Sequence, residues 1–205
     1  MKKTSAFVSL LSLLLIGITF SFRPLGYKVG DIAKDFRLKN IDDKTVAMAD
    51  FKDAKGFIVV FTCNHCPYAK MYEGRIMELD KEFAAKGFPV IAINPNDPSV
   101  VPDDSFENMK KRAKEKGYTF PYLLDETQEI AKSYGAEKTP HVYLLNKEKD
   151  GLRVSYIGAI DDNAQDATAA KQFYIRDAVN ALLSGKKIEK SSSKAIGCSI
   201  KWKNS

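Results

Sequence analysis

FIVVFTCNHCP, residues 57–67, runs from five apolar side chains into two cysteines, Cys63 and Cys66, with Pro67 directly after the second. An unbroken apolar run of this length suits a central strand covered on both faces. Beyond Cys66 the pattern turns helical. Met71, Ile76, Leu79 and Phe83 recur at three- to five-residue steps, and Gly87 can cap the end. Pro67 has no N–H and falls early in that helix, where the donor would be unpaired anyway. The cysteines therefore stand where a buried strand passes into a helix N-terminus, the edge at which open α/β sheets place reactive groups.

That position has chemical consequences. A helix N-terminus offers free N–H groups and a positive end, so a thiolate there is expected to be stabilised and its pKa lowered. Two intervening residues let both sulfurs meet across one turn. Cys63, the outer thiol, can attack, and Cys66 can resolve the mixed disulfide. His65 can add positive charge when protonated, or exchange protons near neutral pH; the plainer alternative is a surface side chain in the loop. Metal binding and an inert disulfide stay open beside the redox reading. A structural zinc site wants four ligands, and the whole chain has three cysteines and two histidines. Copper could take two thiolates and His141. A structural disulfide across so small a loop would stabilise little.

The remaining chain reads as alternating strands and helices. Phe36 and Leu38 alternate with charged residues, and Val46–Met48 is a second short strand after the turn Asn40–Lys44. FPVIAIN, PYLLD, HVYLLN and LRVSYIGAI are further strands, the last two joined by KEKDG as a hairpin. Helices are expected over Ser105–Lys116, Glu126–Tyr134 and Gln165–Leu183, the last burying Phe173, Ile175, Val179 and Leu182. Thr139-Pro140 precedes the HVYLLN strand, and a proline there marks the strand's start. Such an order predicts an α/β fold with a mixed sheet flanked by helices.

At the N-terminus, Lys2 and Lys3 precede an apolar run from Ala6 to Phe20. This is the layout of a secretory signal peptide over residues 1–21, and the run is shorter than the roughly 20 apolar residues a membrane span needs. Residues 22–185 then form one domain and 186–205 a basic tail containing Cys198. The chain carries a net charge of +6, and the tail holds six lysines against one glutamate. These lysines are spread among serines with no aromatic ladder, which reads as solvated surface and not as a nucleic-acid site. No cofactor, resident metal or stable membrane insertion is expected. Cys198 is left over in a segment read as free to move; it could resolve a disulfide, pair with a partner, or be covered by Ile196, Ile200 and Trp202.

The order of a DF-x-L strand (Asp35, Phe36, Leu38), an apolar strand into CxxCP, a DET segment (Asp125–Thr127), Thr139-Pro140 before a strand and Gly158 near the last strand resembles the thioredoxin-like redoxin group. The resemblance spans roughly residues 29–183 and lies between the envelope thiol–disulfide reductases and the peroxiredoxins. It implies a thioredoxin-like fold with an added N-terminal hairpin. It also implies Cys63 as nucleophile, Cys66 as resolving thiol, and Pro140 as a cis-proline shaping the peptide-binding edge. The implied partners are protein thiols or disulfides and a membrane or soluble redox donor or acceptor, in the periplasm or outside the cell.

Departures from the pattern matter. The buried acid of thioredoxins is missing from FIVVFT, so proton transfer falls to water, His65 or another group. The Pro-x-x-x-Thr-x-x-Cys spacing of peroxiredoxins fails, although Cys66-Pro67 echoes their Cys-Pro step and Arg153 is a candidate supporting arginine. A thiol–disulfide oxidoreductase is the leading reading. A thiol peroxidase and a copper or zinc carrier are the alternatives.

Overall fold

The computed structural model describes residues 26–203; the expected signal segment lies outside them. The strands are β1 (Ile32–Ala33), β2 (Arg37–Asn40), β3 (Thr45–Ala47), β4 (Gly56–Phe61), β5 (Val90–Asn94), β6 (Tyr122–Leu124), β7 (Lys138–Thr139), β8 (His141–Glu148), β9 (Gly151–Gly158) and β10 (Cys198–Ser199). The helices are α1 (Pro67–Phe83), α2 (Phe106–Lys116), α3 (Glu129–Tyr134) and α4 (Tyr174–Leu183).

β4 is buried along its whole length, as its unbroken apolar run requires. It pairs in parallel with β5 and antiparallel with β8. The main sheet runs β1-β9-β8-β4-β5-β6-β2-β3. The β2–β3 hairpin is the expected N-terminal addition and sits at one edge, while β1 closes the other. Alternate side chains of β4 serve two cores. Ile58 and Val60 pack with Tyr72, Ile76 and Phe83 of α1 and Val179 of α4. Phe57, Val59 and Phe61 face Ala131 and Tyr134 of α3. Each fully buried Val, Ile or Phe contributes about 1.5–3 kcal/mol relative to exposure, so a charge at Val59 would break both the strand and the layer over it.

Several local expectations need correcting. Met71 is 46% exposed, and Tyr72 takes the core position instead. The last helix begins at Tyr174, not Gln165. Side chains in the preceding loop occupy its backbone donors. Asn163 Oδ1 accepts from Gln165 N and Asp166 N, and Asp162 Oδ1 accepts from Lys171 N and Gln172 N. Such local bonds compete with helix. Phe173, outside the helix, is 37% exposed. α1, in contrast, begins where expected, with Cys66 at its N-cap and Pro67 in its first turn, and it continues as a 3-10 turn to Lys86 before Gly87 at φ 97°.

Candidate active site

Four segments meet at the C-terminal ends of β4 and β5. The first is the Thr62–Cys66 loop. The second is the 3-10 turn Pro102–Asp104. The third is Thr139-Pro140, joined by a cis peptide bond. The fourth is the tail around Cys198, whose β10 pairs antiparallel with β7 and sets Cys198 opposite Thr139.

Cys63 and Cys66 are both buried. The Cys63 thiol donates to Thr139 Oγ1 at 3.2 Å, and its sulfur lies 3.6 Å from His65 Nδ1. Cys66 is bonded to Cys198, leaving Cys63 as the free thiol. Cys66 Sγ lies 3.3 Å from the Thr139 carbonyl oxygen. On reduction that carbonyl would accept its S–H. Thr139 is thus the common neighbour of both sulfurs.

The acid missing from β4 arrives from elsewhere. Asp104, fully buried, points its carboxylate into the cysteine loop. Oδ1 accepts from Asn64 N at 2.6 Å and His65 N at 3.2 Å. Oδ2 accepts from Asn96 Nδ2 at 2.8 Å and lies 2.6 Å from His65 Nδ1. A carboxylate cannot donate, so the shared proton sits on Nδ1, and His65 orients to Asp104 more tightly than to Cys63. Asn64 is held in turn by the Asp103 carbonyl and by the Tyr122 hydroxyl. The loop between the cysteines is therefore fixed by buried hydrogen bonds, each worth about 1 kcal/mol net and more where a charge takes part.

This arrangement overturns the expected low pKa of Cys63. Burial first, and then the negative charge of Asp104, push the thiol up to about 11. The Thr139 hydroxyl and the N–H groups of Cys66 and His65 pull the other way but do not win. His65 turns its Nδ1–H to Asp104 and not to the Cys63 sulfur.

Other expected residues fall as follows. Pro140 is buried and follows Thr139, the neighbour of both sulfurs, through the cis bond. Arg153 is remote: it pairs with Glu148 and Asp150 on the β8–β9 hairpin and donates to the Gly30 carbonyl. Among the described residues, the metal-capable side chains that gather are Cys63, His65 and Asp104, with donor atoms within 4.8 Å of one another. His141, the expected copper ligand, is not one of them; it is partly buried on β8 with its ring 4.8 Å from Tyr143. The tail is not a free segment. Ile200 is buried, and Lys201 N donates to Asn96 Oδ1 at 2.8 Å. Ile196 and Trp202 remain exposed at 38% and 37%, so of the three expected covering residues Ile200 alone is buried. Sequence reasoning missed Asp104, Asn96 and Gly197. Asp104 lies in VPDDSFEN, where nothing separates it from its neighbour Asp103.

A cysteine pair between a buried strand and a helix, facing a cis-proline in a mixed sheet with an N-terminal hairpin, defines a thioredoxin-like redoxin. The chain belongs to the AhpC/TSA family, whose model matches residues 29–163. It is similar to an uncharacterized conserved protein from Geobacillus kaustophilus, 40% identical with a TM-score of 0.80, over 87% of this chain and 94% of that one. A hypothetical protein from Sinorhizobium meliloti 1021 is 33% identical with a TM-score of 0.80, over 88% of this chain and 97% of that one. Among curated proteins, thiol-disulfide oxidoreductase ResA of Geobacillus thermodenitrificans is 25% identical over 119 residues, covering 58% of this chain. The chain spans 64% of that relative's length.

Proposed function

We propose that this protein is a thiol–disulfide oxidoreductase acting on protein thiols or disulfides in the cell envelope. The observation that carries the reading is the gathering of Cys63, Cys66 and Thr139-Pro140 at one sheet edge, with both sulfurs within 3.3 Å of Thr139 atoms. Cys63 attacks the substrate sulfur, Cys66 resolves, and Pro140 shapes the edge along which the substrate backbone lies. His65 holds the loop and carries a proton beside Cys63. The curated relative is named for this activity. Export rests on the signal-like residues 1–21, which would leave 22–185 as the working domain with 186–205 as its tail; among the described residues no helix is long and apolar enough to cross a membrane. A membrane or soluble redox protein would complete the cycle.

Trapping tests the roles. In a Cys66→Ser, Cys198→Ser chain, a peptide disulfide should remain on Cys63 as a stable mixed disulfide. Attachment nowhere, or persistence of the trap after Cys63→Ser, would remove Cys63 from the attacking role.

A second reading, thiol peroxidase, has one observation in its favour. Cys66 precedes Pro67 and is bonded to Cys198, the bond left when a Cys66 sulfenic acid condenses with the Cys198 thiol. Stopped-flow oxidation of the reduced protein by hydrogen peroxide decides it. A rate no faster than that of free cysteine excludes this reading.

A further inference from the structure

Cys198 lies on a strap that closes over the active edge. Upstream, Ser193 N donates to the Ile157 carbonyl at 3.0 Å and Ile157 N to that of Ser191 at 3.1 Å, anchoring the strap beside β9. Downstream, Ile200 N donates to the Glu137 carbonyl at 3.1 Å, and Gln128 Nε2 donates to the Lys201 carbonyl at 2.8 Å. Between these anchors Cys198 pairs antiparallel with Thr139. Gly197 approaches so closely that a Cβ there would meet the Thr139 carbonyl oxygen at 2.3 Å. The strap thus occupies the backbone edge next to Pro140 that a substrate peptide would use, and it delivers a sulfur to Cys66 while Cys63 stays free.

Resting on the oxidoreductase reading above, we propose that Cys198 is a third redox cysteine of the same site. It takes the disulfide over from Cys63–Cys66, so that the oxidised protein rests as Cys66–Cys198 with Cys63 restored. The substrate is a disulfide between peptide cysteines. The Cys63 thiolate attacks one substrate sulfur: the Cys63–substrate bond forms, the substrate S–S bond breaks, and the other substrate sulfur leaves as a thiolate. The Cys66 thiolate then attacks Cys63 Sγ, forming Cys63–Cys66 and releasing the second substrate thiolate. Finally the Cys198 thiolate attacks Cys66 Sγ, forming Cys66–Cys198 and releasing the Cys63 thiolate. Net, Cys66 and Cys198 are oxidised, the substrate disulfide is reduced, and two protons pass from the protein thiols to the substrate thiols. Cys63 regains its own proton and its place against Thr139 Oγ1, 3.2 Å away. Its burial with Asp104 nearby favours that protonated form.

The full chain in a glutathione redox buffer provides the test. Samples are quenched in acid, alkylated, digested without reduction and mapped by mass spectrometry. Wild type and Cys63→Ser should both end as Cys66–Cys198. When reduced wild type meets a peptide disulfide, Cys63–Cys66 should rise first and then give way to Cys66–Cys198. Cys198→Ser should end as Cys63–Cys66, with its equilibrium constant against glutathione changed at least tenfold, about 30 mV for two electrons. Peptide reduction with Cys63–Cys66 as the final state and Cys198 alkylated would overturn the relay alone. Failure of wild type both to reduce any peptide disulfide and, once oxidised, to oxidise a peptide dithiol would overturn the oxidoreductase reading, and the relay with it.

Discussion

Asp104 Oδ2 lies 2.6 Å from His65 Nδ1 although the residues are 39 positions apart. This contact ties the carboxylate beside Cys63 to the loop between the two cysteines. Asp104→Asn removes the negative member, so the Cys63 pKa should fall from its present value of about 11, with burial still holding it above that of a free thiol. Thiolate absorbance in a Cys66→Ala, Cys198→Ala background measures it. An unchanged value would leave burial as the whole cause.

Removing the other member tests stability. His65→Ala leaves the fully buried Asp104 carboxylate with backbone and Asn96 donors but without the ring N–H of His65. Losing one hydrogen bond to a buried charged group costs about 1.5–3 kcal/mol. Urea unfolding should show a loss of that order, and adding Asp104→Asn should recover part of it. Equal stability of His65→Ala and wild type would mean that the carboxylate does not need the ring donor.

Alkaline pH should act through Cys63. Its folded pKa is raised, so the folded state holds the proton more tightly than the unfolded chain does. The resulting stabilisation is complete below the ordinary thiol value of 9.0 and is lost as pH rises through about 11. Its size is of the order of 2–3 kcal/mol. Alkali acts on more than one group, so the comparison that matters is with Cys63→Ser. The variant's stability should fall less between pH 9 and 11; parallel curves would refute the shift.

Much of this site was legible before the fold was known, for identifiable reasons. β4 announces itself by an unbroken apolar run, and its passage into Cys63-x-x-Cys66-Pro67 is local chemistry within a few residues. The β8–β9 hairpin is marked by its turn residues. Illegible parts depend on contacts between distant segments. Asp104 becomes the partner of His65 only because the Pro102–Asp104 turn follows β5, which lies beside β4. The pKa of Cys63 could not be read from its helix-end position, since burial and a charge from another segment outweigh the local N–H groups. The place of Cys198 could not be read from the sequence, because a two-residue strand has no periodicity to show.

His141 makes the opposite pH test. Burial lowers its pKa to about 4, so the folded state prefers the neutral ring. The stabilisation is full above the ordinary value of 6.5 and is lost as pH falls through about 4. Allowing for its partial exposure, the effect is roughly 2 kcal/mol. Urea midpoints between pH 7 and 4 should drop more steeply for wild type than for His141→Gln, whose side chain does not titrate. Identical slopes would show that the ring is protonated as easily in the fold as in water.

Gly197 governs how firmly the strap sits. It needs no left-handed backbone; it is confined by space, since a Cβ would meet the Thr139 carbonyl oxygen at 2.3 Å and Pro140 N at 2.9 Å. Both contacts are backbone atoms, so the strap must give way. Gly197→Val should lift the strap from β7 and separate Cys198 from Cys66, while the two apolar cores, which draw only Ile200 from the strap, keep most of their packing. Three readings should move together: faster proteolysis within residues 191–203, faster alkylation of Cys63, and a smaller share of Cys66–Cys198 at a given glutathione ratio. The thermal transition of the domain should persist. Unchanged alkylation of Cys63 despite a lifted strap would mean that Thr139 and the cysteine loop alone bury that thiol, and that substrate must displace them instead.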